Sequence, residues 1–261
     1  MLNRIAPGVV ALCLAAALPP GSAVGGDVAT HALVESAPVI STTPSKPIAV
    51  EAENTVQPIS LGSNIDIAEA VEQGVSAEVL KLALTATSCA ATSGAIDTPP
   101  TLTLIDYSRP SVEPRLWVFD LATGDLLFRE LVAHGRNTGD NFATKFSNEM
   151  DSRQTSIGLF VTDDPYVGSN GYSLRLDGLD IGFNDRARDR AIVMHGAPYV
   201  NEEIAASQGR IGRSWGCPAL RTAIAAKVID RIRGGSVIFS YYPDQEWLQR
   251  SQFLQGCAAS S

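Results

Sequence analysis

His195 and Cys217 are the two side chains whose types and surroundings point most directly to chemistry. The thiolate is the nucleophilic form of cysteine; it needs a base to take its proton and a positive environment to hold the charge. His195 ends the apolar run Ala191-Ile-Val-Met194 and precedes Gly196, so a strand end is expected to project the imidazole into a cleft as general base. Cys217 lies 22 residues further on, in Arg213-Ser214-Trp215-Gly216-Cys217-Pro218. Proline disfavours helical dihedrals in the residue before it and is best tolerated as the first residue of a helix. This pattern predicts Cys217 as the N-cap of a helix opened by Pro218, its thiol facing free N–H groups and the positive end of the helix dipole. The N–H groups of Gly216 and Cys217 are candidate oxyanion donors, and Gly216 permits close approach of a substrate. The plainer alternatives are a small buried cysteine that caps a helix without reacting and a structural histidine.

Other residues fall around this pair. Val132-Ala-His-Gly135 also ends a strand before a glycine, so His134 is expected to contact substrate or support the site rather than act as the base. Arg213 can pair with a substrate carboxylate or tie down the loop, and Ser214 can bond the base or the loop. Trp215 is expected to form one wall of the groove, and Gly196 to lie against the substrate. His134 and His195 are the credible metal ligands, no cysteine pair has zinc spacing, and neither metal nor cofactor is expected. Gly178-Leu-Asp-Ile-Gly182 lacks the context of a phosphate loop. The alternating charges of Asn184-Asp-Arg-Ala-Arg-Asp-Arg190 read as a solvated, internally paired segment.

These residues must be positioned by a chain of strands with flanking helices, a mostly β, α+β pattern. Ile65, Ala68 and Val71 have helical spacing, and Ser76 can cap a second helix with Val79, Leu80, Ala83, Leu84 and Ala86 on one face. Thr101–Ile105 reads as a strand. Arg115–Phe119 and Leu126–Ala133 read as a hairpin around Ala122-Thr-Gly-Asp125. Ser156–Val161, Tyr172–Leu176, Ala191–His195 and Ser236–Tyr242 complete the strands. After Pro218, the stripe Leu220, Ile224, Val228 and Ile232 predicts a helix stopped by Gly234-Gly235.

The 261 residues, 45% hydrophobic and 18% charged, have ordinary globular composition. Residues 1–23 read as a signal peptide: Arg4, then an apolar run from Ile5 to Leu18, then small residues up to Ala23. That run is short for a bilayer span, and no later stretch predicts a transmembrane helix in the mature chain. Leu12 before Cys13 argues against a lipoprotein. An uncleaved N-terminal anchor is the alternative. Residues 24–60, rich in Pro, Ser and Thr and containing His31, read as a disordered linker. A catalytic domain is expected over 61–250, followed by a tail over 251–261. The formal net charge of −8, with no basic run, gives no reason to expect nucleic-acid binding. An exported chain, in a periplasm or cell envelope, keeps Cys89, Cys217 and Cys257. An odd number in an oxidising compartment suggests one disulfide, Cys89–Cys257, and a free Cys217; the alternative is three reduced thiols.

His195-Gly196 followed by Ser214-Trp215-Gly216-Cys217 resembles the signature of the L,D-transpeptidase catalytic domain family (YkuD-like), which reads His-Gly, a variable loop, then Ser-x-Gly-Cys. Ile105-Asp-Tyr-Ser108, Arg115-Leu-Trp-Val118, Val132-Ala-His-Gly135, Phe146-Ser-Asn148, Gly171-Tyr-Ser-Leu174 and Gly212-Arg-Ser214 resemble its murein branch. The resemblance covers roughly residues 76–243. It implies a β-sandwich or barrel-like catalytic domain with flanking helices. It also implies attack by Cys217 on the bond between the diamino acid and the terminal D-alanine of a peptidoglycan stem tetrapeptide, with His195 as base and then acid. Transfer of the acyl group to an amine gives a 3–3 cross-link; transfer to water makes the protein an L,D-carboxypeptidase. Carbapenems are the covalent inhibitors that the resemblance implies. Trp215 replaces the His or Tyr of many members, and Ala219 stands where many have Arg, with Arg221 displaced. A non-catalytic wall-binding module is the reading from a different class.

Overall fold

The computed structural model describes residues 61–255 and 257; the expected signal peptide and linker, with Cys13 and His31, lie outside the described residues. The first helix, α1 (Ile67–Glu72), starts where the Asp66 carboxylate accepts the N–H groups of Ala68 and Glu69. It buries Ala70, while Ala68 and Val71 face solvent, so the expected stripe is displaced: Ile65 is buried but precedes the helix. α2 (Ala77–Thr92) starts at Ser76, whose Oγ accepts the Val79 N–H at 3.3 Å, a cap that contributes about 1 kcal/mol. Val79, Leu80, Ala83, Ala86 and Ala90 form its buried face.

Nine strands make one sheet: β1 (Thr101–Asp106), β2 (Leu116–Asp120), β3 (Leu126–Glu130), β4 (Val132–Ala133), β5 (Gly158–Gly168), β6 (Gly171–Gly178), β7 (Val193–Ala197), β8 (Ala219–Arg221) and β9 (Val237–Tyr241). Their order is β3-β2-β1-β9-β5-β6-β7-β8-β4, with β1–β9 and β7–β8 parallel and the other ladders antiparallel. The outermost strands, β3 and β4, are separated in the chain by Leu131 alone. Two peptide steps span at most about 7 Å, so the ends of the sheet must meet and the sheet curls into a nearly closed barrel. The stretch 126–133, expected as one strand, is therefore two: its first half pairs with β2 and its second with β8.

Side-chain alternation gives each wall two packed faces. Leu102, Leu104, Trp117, Phe119, Leu159 and Phe239 pack outward against α2 and the C-terminal residues Trp247 and Phe253. Ile105, Leu116, Val118, Phe160, Leu174 and Ile238 pack on the other side with Val228, Ile229 and Ile232 of α4 (Thr222–Ile232), which touches β1, β6, β7 and β8. Two helices carry weak sequence signals: α3 (Glu202–Gln208), with no buried residue, inside the loop after β7, and α5 (Gln245–Arg250), which buries Trp247. Packing continues past residue 250, where Ser251 and Phe253 are buried and Cys257 is bonded to Cys89 of α2. Among the described residues no helix is long and apolar enough to cross a membrane.

The Cys89–Cys257 bond closes a loop with a sequence separation of 168, so it restricts the unfolded chain strongly. Cys257→Ser, or reduction of the disulfide, is expected to cost about 2–4 kcal/mol. Thermal unfolding should then occur about 5–10 °C lower. A midpoint unchanged by reductant contradicts this.

Candidate active site

The strand ladder brings the residues just after Cys217 alongside His195. β7 and β8 run parallel with His195 opposite Ala219, and the His195 N–H donates to the Pro218 carbonyl at 3.4 Å. This pairing overturns the expected helix start. Residues 219–221 extend between β7 and β4, and α4 begins only at Thr222, after Arg221. Two ladders of backbone hydrogen bonds outweigh the weak preference of Pro218 for a helix start. Cys217 is thus not a helix cap, and Leu220 packs in the barrel rather than on the helix stripe.

A small hydrogen-bonded turn holds the cysteine instead. Ser214 Oγ donates to the Cys217 carbonyl at 2.6 Å and accepts the Gly216 N–H at 3.1 Å. The Gly216 N–H, expected as an oxyanion donor, is therefore engaged. Gly216 has φ 130, and a Cβ there would lie 2.9 Å from both the Gln154 carbonyl oxygen and Ile192 Cδ1, so this turn requires glycine. Thr155 Oγ1 donates to the Gly216 carbonyl and accepts the Gly135 N–H, joining the turn to the chain after β4.

The thiol is 8% exposed and donates to the Ala191 carbonyl at 3.7 Å. Burial pushes it above its ordinary range; the N–H of Val193, the Arg190 guanidinium and the Cys217 N–H act in the opposite direction. His195 is also buried, which lowers its pKa below the ordinary 6.5. Its Nδ1 lies 3.0 Å from the Gly196 carbonyl, to which it must donate, leaving Nε2 as the basic nitrogen. At neutral pH the resting pair is thus thiol and neutral imidazole. Gly196 itself packs against α4, where a Cβ would meet that of Ala225 at 3.0 Å, and its carbonyl orients the imidazole.

His134 is 1% exposed, and both of its ring nitrogens are bonded within the protein. Nδ1 accepts from Arg115 Nη2 at 2.7 Å, so Nε2 carries the hydrogen and donates to the Gly139 carbonyl at 3.3 Å. Burial and the Arg115 cation lower its pKa to about 3. Arg115, also fully buried, stays charged at neutral pH although burial lowers it to about 10. Arg213 donates to Asp140 and to the Arg136 and Gly139 carbonyls, so it ties down the loop. Trp215 is 68% exposed, with the Arg153 guanidinium 4.7 Å over its ring.

Three residues near the sulfur were not singled out by sequence. Tyr107 stacks under Arg115, and its buried hydroxyl has no hydrogen-bond partner. Burial raises the pKa of Tyr107 and of Tyr199, and the nearby Cys217 adds to both shifts, so both remain phenols. Arg190 belongs to the segment read as internally paired, but Arg188 pairs outside it with Asp163 and Asp177, and the Arg190 guanidinium lies next to Gly216. Tyr107 lies in the motif Ile105-Asp-Tyr-Ser108, but nothing in the sequence gives any of the three a place near the cysteine. Among the described residues no group of three His, Cys, Asp or Glu side chains can hold a metal ion.

The model of a family described as the L,D-transpeptidase catalytic domain matches residues 71–241. No curated protein matches the chain. Similar solved structures include the LD transpeptidase LdtMt1 in complex with imipenem, 19% identical, covering 54% of this chain and 58% of that one, TM-score 0.33. An L,D-transpeptidase from Mycobacterium smegmatis is 18% identical, with coverages of 55% and 59% and a TM-score of 0.34. Another, from Stackebrandtia nassauensis, is 15% identical, with coverages of 63% and 68% and a TM-score of 0.34. The chain spans less than two thirds of the length of the first two.

The buried neutral His134 makes stability depend on pH. Its folded pKa of about 3 lies below the ordinary 6.5, so the unfolded chain binds the proton first and stability falls as pH drops from about 6.5 towards 3. His134→Gln keeps one acceptor and one donor without the titration. Its melting temperature should fall less between pH 7 and pH 4 than that of the wild type; an equal fall contradicts the assignment.

Proposed function

The chain belongs to the L,D-transpeptidase catalytic domain family, and from that premise we propose that it is an exported cysteine acyltransferase of peptidoglycan. The observation that carries the reading is a buried thiol, the free cysteine among the described residues, two residues before the strand that pairs with β7 at His195, whose neutral imidazole has a tautomer that leaves Nε2 unprotonated. In this reading His195 Nε2 takes the Cys217 proton, and the sulfur attacks the carbonyl carbon between the diamino acid and the terminal D-alanine of a stem tetrapeptide. The C–N bond breaks, the proton passes from His195 to the departing D-alanine amine, and a thioester remains on Cys217. An amine of a second stem then attacks the thioester, loses a proton to His195, and leaves a 3–3 cross-link while the thiol is restored. Trp215 and Arg153 offer an aromatic face and a cation to the incoming peptide. The family supports imipenem-like carbapenems as acylating inhibitors, and the disulfide supports export to an oxidising compartment.

Incubation with purified tetrapeptide muropeptides tests the reaction. Cross-linked dimers, with D-alanine released, are the expected products; tripeptides alone indicate hydrolysis. Cys217→Ala should abolish product formation, and His195→Ala should slow it by about 100-fold or more. Wild-type rates in both variants, or no product from the wild-type protein, contradict the proposal.

A further inference from the structure

Two of the three arginines in segment 184–190 have carboxylate partners, and the third does not. Arg186 reaches Glu149 at 3.4 Å, and Arg188 holds Asp163 and Asp177. Arg190 is half-buried. Its Nη1 donates to the Ser147 carbonyl at 2.6 Å and to Ser156 Oγ; its Nη2 donates to Ser152 Oγ at 3.1 Å and to the Gln154 carbonyl at 2.6 Å. Nε is buried without a partner. Every acceptor is neutral, so among the described residues no carboxylate forms an ion pair with this charge.

A half-buried cation held by four neutral acceptors keeps its charge available to whatever anion forms nearby. The surroundings point to the cysteine sulfur. A Cβ on Gly216, the residue before Cys217, would lie 3.6 Å from Arg190 Nη2. The thiol itself donates to the carbonyl of Ala191, the residue after Arg190. Ala191 has φ 51, a left-handed conformation that alanine adopts only where its surroundings impose it. One strained corner thus aims the carbonyl and leads into the guanidinium.

We propose that Arg190 is a positioning residue for the nucleophile: its guanidinium supplies the positive charge that holds the Cys217 sulfur as a thiolate once His195 has taken the proton. The inference rests on Cys217 being the nucleophile. Arg190 transfers no proton; it takes the place of the helix terminus, which lies beyond β8. Other groups facing the sulfur are the Val193 and Cys217 N–H groups, which help, and Tyr107 and Tyr199, which remain neutral phenols. His195 stands across the ladder, and Arg186 and Glu149 act on Arg190 with opposite sign.

The test is the pH dependence of iodoacetamide alkylation, followed on the Cys217 peptide by mass spectrometry, in wild type, Arg190→Gln and Arg190→Lys, with melting temperatures measured alongside. Arg190→Gln should shift the profile to higher pH and slow alkylation at pH 7 by about tenfold or more. Arg190→Lys loses the fork but keeps the charge, and should stay within about threefold of wild type at pH 7. A purely structural role predicts lower melting temperatures with no difference between the two profiles. An unshifted profile in Arg190→Gln, or equal shifts in both variants, overturns the proposal. Should Arg190→Gln fail to fold, Arg190→Lys decides: a tenfold loss at pH 7 overturns it. Alkylation needs no wall substrate. Muropeptide activity with an unshifted profile therefore overturns this inference alone, and a shifted profile without activity overturns the transpeptidase reading alone.

Discussion

Glu130 and Val132 are two residues apart in the chain and lie at opposite ends of the strand order. The rest of the structure depends on that constraint, because the sheet can satisfy it only by curling until its edges meet. Hydrogen-bonded polar groups hold the meeting point. Arg221, at the end of β8, makes a two-pronged ion pair with Glu130, at the end of β3, both bonds being 2.8 Å. Arg115 Nε and Nη2 donate to the Val132 carbonyl, and the same Nη2 reaches His134. A fully buried guanidinium is tolerated because it is hydrogen-bonded on several sides and stacked on Tyr107. His134 is therefore part of the seam, and its neutral state follows from lying against Arg115.

Closure also decides the chemistry of the cysteine. β8 exists because β4 arrives at the far edge to pair with it, and β8 draws residues 219–221 out of any helix. The thiol then sits in the turn that leads into β8 rather than at a helix terminus. Burial raises its pKa, and fixed groups oppose that: the Val193 N–H, Arg190 and its own N–H. In the proposed reaction the buried thiol is screened from water until substrate arrives, at the cost of a lower thiolate population at rest. The neutral imidazole of His195 suits that state, since it can accept the proton as the bond forms.

Much of this was legible in local sequence, and the failures share a cause. The cap at Ser76, the apolar faces of α2 and α4, and β1, β2, β7 and β9 follow from periodicity and capping within a few residues. Cys217 and His195 could be singled out from sequence because each sits beside its own glycine. What was not readable depends on partners far along the chain. Leu131 looks like one more strand residue, yet it is the corner where the barrel closes. Pro218 has the local preference of a helix opener, which two ladders override. His134 and His195 share the pattern of a strand end before glycine, but one is sealed at the seam by Arg115 and the other stands beside the thiol. Arg190 looks like part of an alternating charge run until the fold separates it from its neighbours' carboxylates.

The central claim is that Cys217 carries the acyl group during the reaction. The most direct measurement is an acid quench of the protein with a purified tetrapeptide muropeptide, followed by digestion and mass analysis of the Cys217 peptide. The expected result is an adduct with the mass of the stem less its terminal D-alanine, on Cys217 and absent from His195→Ala at the same early time. Products formed with Cys217 unmodified throughout, or an adduct on another residue, would contradict it.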